Sequence, residues 1–147
     1  MNFELLTLTG AKFAGEATEV SLVTSGGQIG ILPHHEPLTA IAVPGPVSVR
    51  TSNNQRELFA IFGGLLEVFD GQVRLLADEA EHAEELILSE IEAAVNEAQR
   101  LKEEAKDKHE LQLAQELIDR HAVRLEVARL HRSHRGAKKP LAPESSQ

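Results

Sequence analysis

The chain has 147 residues, 41% hydrophobic and 26% charged, which suits one soluble domain or two small ones. A net charge of −8 disfavours a polyphosphate partner, and five Phe with no Trp or Tyr leave almost no platform for stacking on nucleic-acid bases. The absence of Cys excludes disulfides and thiolate metal sites, and no apolar run approaches the ~20 residues that span a bilayer, so the expectation is a cytosolic chain without a signal peptide.

The first half reads as short strands between turn signals. Leu6 and Leu8 alternate with Thr7 and Thr9, and Val20 and Leu22 flank Ser21. Gly26-Gly27 marks a turn before the apolar run Ile29–Leu32, which Pro33 stops. Pro44-Gly45-Pro46 precedes Val47 and Val49, and Asn53-Asn54 punctuates before Leu58–Phe62, a fully apolar run expected in the core. Asp70-Gly71 predicts a two-residue hairpin joining Leu66 and Val68 to Val73, Leu75 and Ala77. Many short strands at this spacing predict a β-sandwich over residues 1–83.

From Ala80 onward no Gly or Pro occurs until Gly136, which favours helix. Ile87, Ile91, Ala94, Ala98, Leu101 and Ala105 form one heptad-like seam, and Leu111, Ala114, Ile118, His121, Leu125 and Ala128 form another. Lys106–His109 interrupts the two, so an antiparallel helical hairpin is predicted over residues 84–135, with a disordered tail over 136–147. The fold class is α+β in two segregated domains. Charge is uneven: residues 1–83 carry four Lys/Arg against ten Asp/Glu, 84–120 five against eleven, and 121–147 six against two. A basic end on an acidic body fits an acidic partner.

The run Gly30-Ile31-Leu32-Pro33-His34-His35-Glu36-Pro37-Leu38 resembles the Gly-Ile-Leu-Pro-Gly-His-Ala-Pro-Leu signature of the epsilon subunits of bacterial F-type ATP synthases. Gly63-Gly64 followed by Leu66-Glu67-Val68 resembles that family's Gly-Gly-x-Leu-Glu-Val strand, and Leu76–Glu81 its Leu-Ala-Asp-Thr-Ala-Glu ending. The ordered set covers residues 3–83; the hairpin matches in length and kind. The resemblance implies a non-catalytic rotor subunit, peripheral at the cytoplasmic face of the bacterial membrane. It implies a sandwich against the gamma subunit and the ring of c subunits, and a hairpin that lies folded on the sandwich or extends up the shaft to inhibit ATP hydrolysis.

Several residue roles follow from the resemblance. Ile31, Pro33, His34, His35 and Glu36 are the expected docking loop toward gamma and the c ring. Arg120, Arg124, Arg129, Arg132 and Arg135 are the expected inhibitory helix, facing an acidic segment of the catalytic alpha/beta head; the planar Arg fork suits carboxylates. His34 and Glu36 depart from the family's Gly and Ala, and His tolerates the backbone angle of a Gly less well, so the loop is expected to turn differently. Members that bind ATP carry an Asp and an Arg at the start of the hairpin. Leu86 and Ser89 stand at those positions here, so no nucleotide cofactor is expected.

Other readings compete with this one. An adaptor with a free-standing coiled-coil hairpin has the same composition. A metal-dependent enzyme around His34, His35 and His82 lacks a ligand set at usable spacing, and no metal is expected. Gly26, Gly27 and Gly30 do not open a helix, because Pro33 and Pro37 follow, so they read as a turn and not as a phosphate loop. No Ser sits in a nucleophile elbow, and no catalytic residues are expected. Seven His, four of them at or after position 109, make pH a candidate effector of the hairpin.

Overall fold

A computed structural model describes residues 1–137. Among these, nine strands precede two helices: β1 (Asn2–Thr7), β2 (Gly10–Thr24), β3 (Gly27–Ile31), β4 (Leu38–Ala42), β5 (Gly45–Thr51), β6 (Arg56–Ile61), β7 (Gly64–Phe69), β8 (Gln72–Ala77), β9 (Ala80–His82), α1 (Leu88–Glu103) and α2 (Lys108–Ala137). A single 3₁₀ turn over Ala83–Glu85 joins the two parts. The strands form a sandwich, as the alternation predicts. β4, β7, β8 and β1 make one layer, and β3, β2, β5, β6 and β9 the other. The 15-residue β2 serves both, pairing with β1 through its first half and with β3 and β5 through its second. Only the β1–β8 pair is parallel among the described ladders.

Between the layers Phe3, Leu5, Val20, Leu22, Ile31, Val47, Val49, Phe59, Ile61, Leu66 and Leu75 are buried. Each such side chain contributes ~1.5–3 kcal/mol by leaving water. The core phase of β1 is therefore Phe3 and Leu5, not Leu6 and Leu8. Leu8 lies fully exposed in the β1–β2 turn, where the Thr7 hydroxyl bonds Thr9 and the Gly10 carbonyl and so draws the chain out of the strand.

Asp70 and Gly71 have φ of 48° and 75°, the left-handed pair of a type I′ hairpin. Gly64, at φ 158°, abuts β8 so closely that a Cβ there would lie 2.3 Å from the Leu76 carbonyl oxygen. This is the physical reason for a glycine at the entry to β7.

The helices pack antiparallel, with Ile91, Ala98, Ala114 and Ala128 buried along the predicted seams. Their connection covers 104–107, not Lys106–His109. Asp107 Oδ1 accepts the Glu110 N–H at 2.8 Å and Glu110 Oε2 accepts the Lys106 N–H at 2.9 Å. That reciprocal cap starts α2 at Lys108 and draws Lys108 and His109 into its first turn. At its other end α2 continues through Ala137, two residues past the expected limit; residues 138–147 of the predicted tail lie outside the described residues.

The hairpin is folded onto the sandwich. Val123, Val127 and Leu130 of α2 pack with Leu58 and Ala60 of β6, with Phe62, and with Ala83 and Leu86 of the joint. β6 is thus buried on both faces: Phe59 and Ile61 face the sandwich core, Leu58 and Ala60 face α2. This explains why the run is apolar without alternation.

Candidate functional site

Three surfaces carry the residues that can engage partners. The first is the loop between β3 and β4. Pro33, His34 and Glu36 are exposed and His35 is half-buried, whereas Ile31 is fully enclosed in the core and supports the loop from beneath. The His35 N–H donates to the Leu32 carbonyl at 3.1 Å, closing a turn with Pro33 and His34 in the middle. His34 takes φ 69°. The turn therefore keeps the left-handed geometry of a Pro-Gly pair, contrary to the expectation that His would alter it, and holds His34 at a cost of ~1 kcal/mol. The imidazole Nδ1 of His35 lies 2.7 Å from the Glu36 carbonyl oxygen and donates to it.

The second surface is the outer face of the β4-β7-β8-β1 layer. Ile41 is paired with Leu65, Leu65 with Leu76, and Leu76 with Leu6, so four apolar side chains stand in one row across four strands. Ile41 is 60% exposed and Leu76 41%. Leu6, Leu8 and Leu76 line a shared concavity at one end of the row. The flanking row is polar: Thr39, Glu67, Arg74 and Glu4, with Arg74 3.5 Å from Glu4. Residue types missed this row, although a signal was present. In the doublets Leu5-Leu6, Leu65-Leu66 and Leu75-Leu76 one member fills the core and the other must point outward.

The third surface lies between α2 and the sandwich. Arg124 Nε and Nη2 donate to the two carboxylate oxygens of Glu81 at 2.9 and 2.6 Å, and Arg120 Nη2 donates to Glu79 at 2.5 Å. Both guanidinium groups also lie over the Phe62 ring, 4.3 Å away for Arg120 and 5.1 Å for Arg124. The Glu81 contact raises the Arg124 pKa above its already high value, so its charge is permanent. Of the five predicted basic residues, Arg120 and Arg124 are thus occupied by acids of the same chain, Arg129 and Arg132 are exposed, and Arg135, also exposed, borders the cleft between the end of α2 and β6. No local pattern singles out Glu79, Glu81 and Phe62 as partners of α2, because the arginines they meet lie more than forty residues further along the chain.

His82 belongs to the joint. Its Nδ1 accepts the Glu84 N–H at 3.0 Å and caps the 3₁₀ turn, so Nε2 carries the proton and donates to Glu57. His34 and His35 sit in a separate loop, and no group of three metal-ligating side chains occurs among the described residues. Leu86 packs into the apolar contact beneath α2, and Ser89 is exposed in the first turn of α1.

Comparison with known proteins places this architecture. The family model "ATP synthase, Delta/Epsilon chain, beta-sandwich domain" matches residues 1–83. A protein named ATP synthase epsilon chain from Chloroflexus aggregans is 35% identical over 135 residues, covering 92% of this chain and 96% of its own. Another so named, from Herpetosiphon aurantiacus, is 33% identical over 133 residues, covering 90% and 97%. Among solved structures, a chain of the Euglena gracilis mitochondrial ATP synthase (OSCP/F1/c-ring) superposes with a TM-score of 0.66 at 20% identity, over 90% of this chain and 79% of that one. The sandwich matches the family model, and the likeness to named epsilon chains runs on through the hairpin: the chain belongs to the ATP synthase delta/epsilon chain family.

Proposed function

We propose that this chain is the non-catalytic epsilon subunit of the central stalk of a bacterial F-type ATP synthase, and that it brakes ATP hydrolysis through its C-terminal helices. The observation that carries the reading is the likeness to epsilon chains across both sandwich and hairpin, joined to an exposed apolar row on a sandwich whose core is already closed. A monomer gains nothing from Ile41, Leu65, Leu76 and Leu6 in water; a partner surface covering them does. The gamma subunit is that partner, and the loop Pro33–Glu36 adds contacts to gamma and the c ring, with Ile31 acting from below. The complex sits on the cytoplasmic face of the membrane, and no helix among the described residues is long and apolar enough to cross it.

The hairpin is the moving element. Folded, it satisfies Arg120 and Arg124 with Glu79 and Glu81; extended, the same two residues join Arg129, Arg132 and Arg135 in facing carboxylates of the catalytic alpha/beta head. The sandwich acids hold the position that the head's acids take in the inhibited state, so the two states compete for one set of cations. Nucleotide is not the effector, because Leu86 faces apolar neighbours and Ser89 carries no charge.

The test is reconstitution with a cognate catalytic core that retains gamma but lacks its own epsilon subunit. The full chain binds stoichiometrically and slows hydrolysis, and Leu76→Glu weakens binding at least about tenfold, equal to ~1.4 kcal/mol. A wild-type chain that leaves the core unbound overturns the assignment.

A further inference from the structure

Two imidazoles of α2 accept from arginines, one across the junction with the sandwich and one within the helix. Arg56 of β6 directs Nη1 at His134 Nε2 at 2.8 Å, and Arg124 directs Nη1 at His121 Nδ1 at 3.2 Å. Arginine offers donors only and does not lose its proton, so in both contacts the imidazole nitrogen accepts. Protonation would turn each acceptor into an N–H facing a cation. A third imidazole, His131, lines one cleft with His134, Arg56 of β6 and Glu84 of the joint. His131 Nε2 and His134 Nδ1 are buried without a hydrogen-bond partner among the described residues. A charged His131 would therefore hold a buried N–H with no acceptor.

We infer that His121 and His131, beside the Arg56–His134 contact, form a proton-sensitive latch that keeps the hairpin on the sandwich at neutral pH and releases it under mild acid. Cations outweigh carboxylates in the surroundings of His121 and His131. Around His134 stand Arg56 and Glu57 from β6, His82 from β9, Glu84 from the joint, and Glu126, His131 and Arg135 from α2. Around His131 stand Arg135 and His134 from α2, His82 from β9 and Glu84 from the joint. Burial, then Arg135, holds the His131 pKa below the ordinary imidazole value, and Glu84 opposes this less strongly. Burial, then Arg124 and Arg120, lowers that of His121, against a smaller pull from Glu81. His82 and Glu57 pair within the sandwich and do not bridge to α2.

The linkage has one sign. Docked His121 and His131, with lowered pKa, bind fewer protons than the same residues on a released helix. Docking is fully supported above the ordinary imidazole pKa of about 6.5 and weakens as pH falls through it. Carboxylates titrate near 4, which separates this window from loss of the Arg–Glu pairs. The functional consequence, stronger braking of hydrolysis in an acidified cytoplasm, rests on the proposed function; the latch itself does not.

The experiment uses the full chain alone. The sequence has no Cys, so Ser52→Cys in the β5–β6 turn and Ser133→Cys on the exposed side of α2 accept spin labels uniquely. Double electron–electron resonance at pH 8 shows one short, narrow distance, which gives way to long, broad ones with a midpoint at or below about pH 6.5. His121→Gln and His131→Gln combined keep an acceptor at each position and remove the titration. They lower that midpoint by at least about one pH unit. If the combined variant does not dock at pH 8, His131→Gln alone must lower the midpoint. A distance unchanged from pH 8 to 5.5 overturns the inference. So does release at the same pH with the imidazoles removed, since carboxylates would then be the switch. Neither outcome bears on whether the chain binds a catalytic core.

Discussion

The Nε–Nη2 edge of the Arg124 guanidinium donates to both carboxylate oxygens of Glu81, 43 residues earlier in the chain, and its remaining Nη1 reaches His121 one turn away. One side chain thereby ties α2 to β9 and to its own helix. The two ends of the Glu81 pair are 19% and 26% exposed, so water screens it only in part. Charge-assisted bonds of this kind contribute ~1–2 kcal/mol. Arg124→Lys loses most of that, because an ammonium cannot hold both carboxylate oxygens. Hydrogen exchange of α2 amides in wild type and in Arg124→Lys, Glu81→Gln and the double variant gives the coupling energy. A coupling near zero would show that the apolar contact alone holds the hairpin.

Charge competition makes a functional prediction. Glu79→Gln with Glu81→Gln frees Arg120 and Arg124 without adding a repulsive group. The expected result is stronger inhibition of hydrolysis at equal occupancy of the catalytic core. Hydrolysis unchanged by the double substitution would mean that the sandwich acids do not restrain the hairpin.

Val127 is fully buried between α2 and β6. Val127→Ala removes two methyl groups and leaves a void, at a cost of ~1–2 kcal/mol to docking. Amide exchange in α2 should accelerate accordingly while β2 and β5, which pair in the sandwich, stay protected.

Two glycines of positive φ separate backbone strain from collision. A Cβ on Gly71 would meet nothing within 4 Å, whereas one on Gly64 would strike the β8 backbone at 2.3 Å. Gly71→Ala should lower stability by ~1 kcal/mol and Gly64→Ala by ~3 kcal/mol or more, measured by urea unfolding. Equal losses would show that β7 and β8 separate easily.

His34 provides the converse case. His34→Gly relieves left-handed strain but loosens the unfolded chain, for a net gain of about 0.5 kcal/mol; His34→Val should lose ~1 kcal/mol or more. Urea midpoints of the two variants on opposite sides of wild type would match this account.

Much of this molecule was legible before folding. Alternation and the Asp70-Gly71 turn determined a sandwich, and the Gly- and Pro-free second half with its Ala-rich seams determined a hairpin, because strand and helix periodicities act over a few residues. The strand alternation read through Leu8 ends at Thr7 and α2 starts before the expected break is over, because hydroxyl bonds from Thr7 and the Asp107–Glu110 cap outweigh hydropathy at element ends. What only the tertiary structure decided is which faces meet. The doublets at Leu5, Leu65 and Leu75 indicate two apolar faces, but the register of β4, β7, β8 and β1 makes their outer members one row. Likewise the period of Arg120, Val123, Arg124, Val127, His131 and His134 allows a second helix face, but the placement of Glu79, Glu81 and Arg56 across from it turns that face into a latch. Local sequence sets each element's period, whereas pairing between distant residues depends on where chain closure brings them, and no local pattern encodes that.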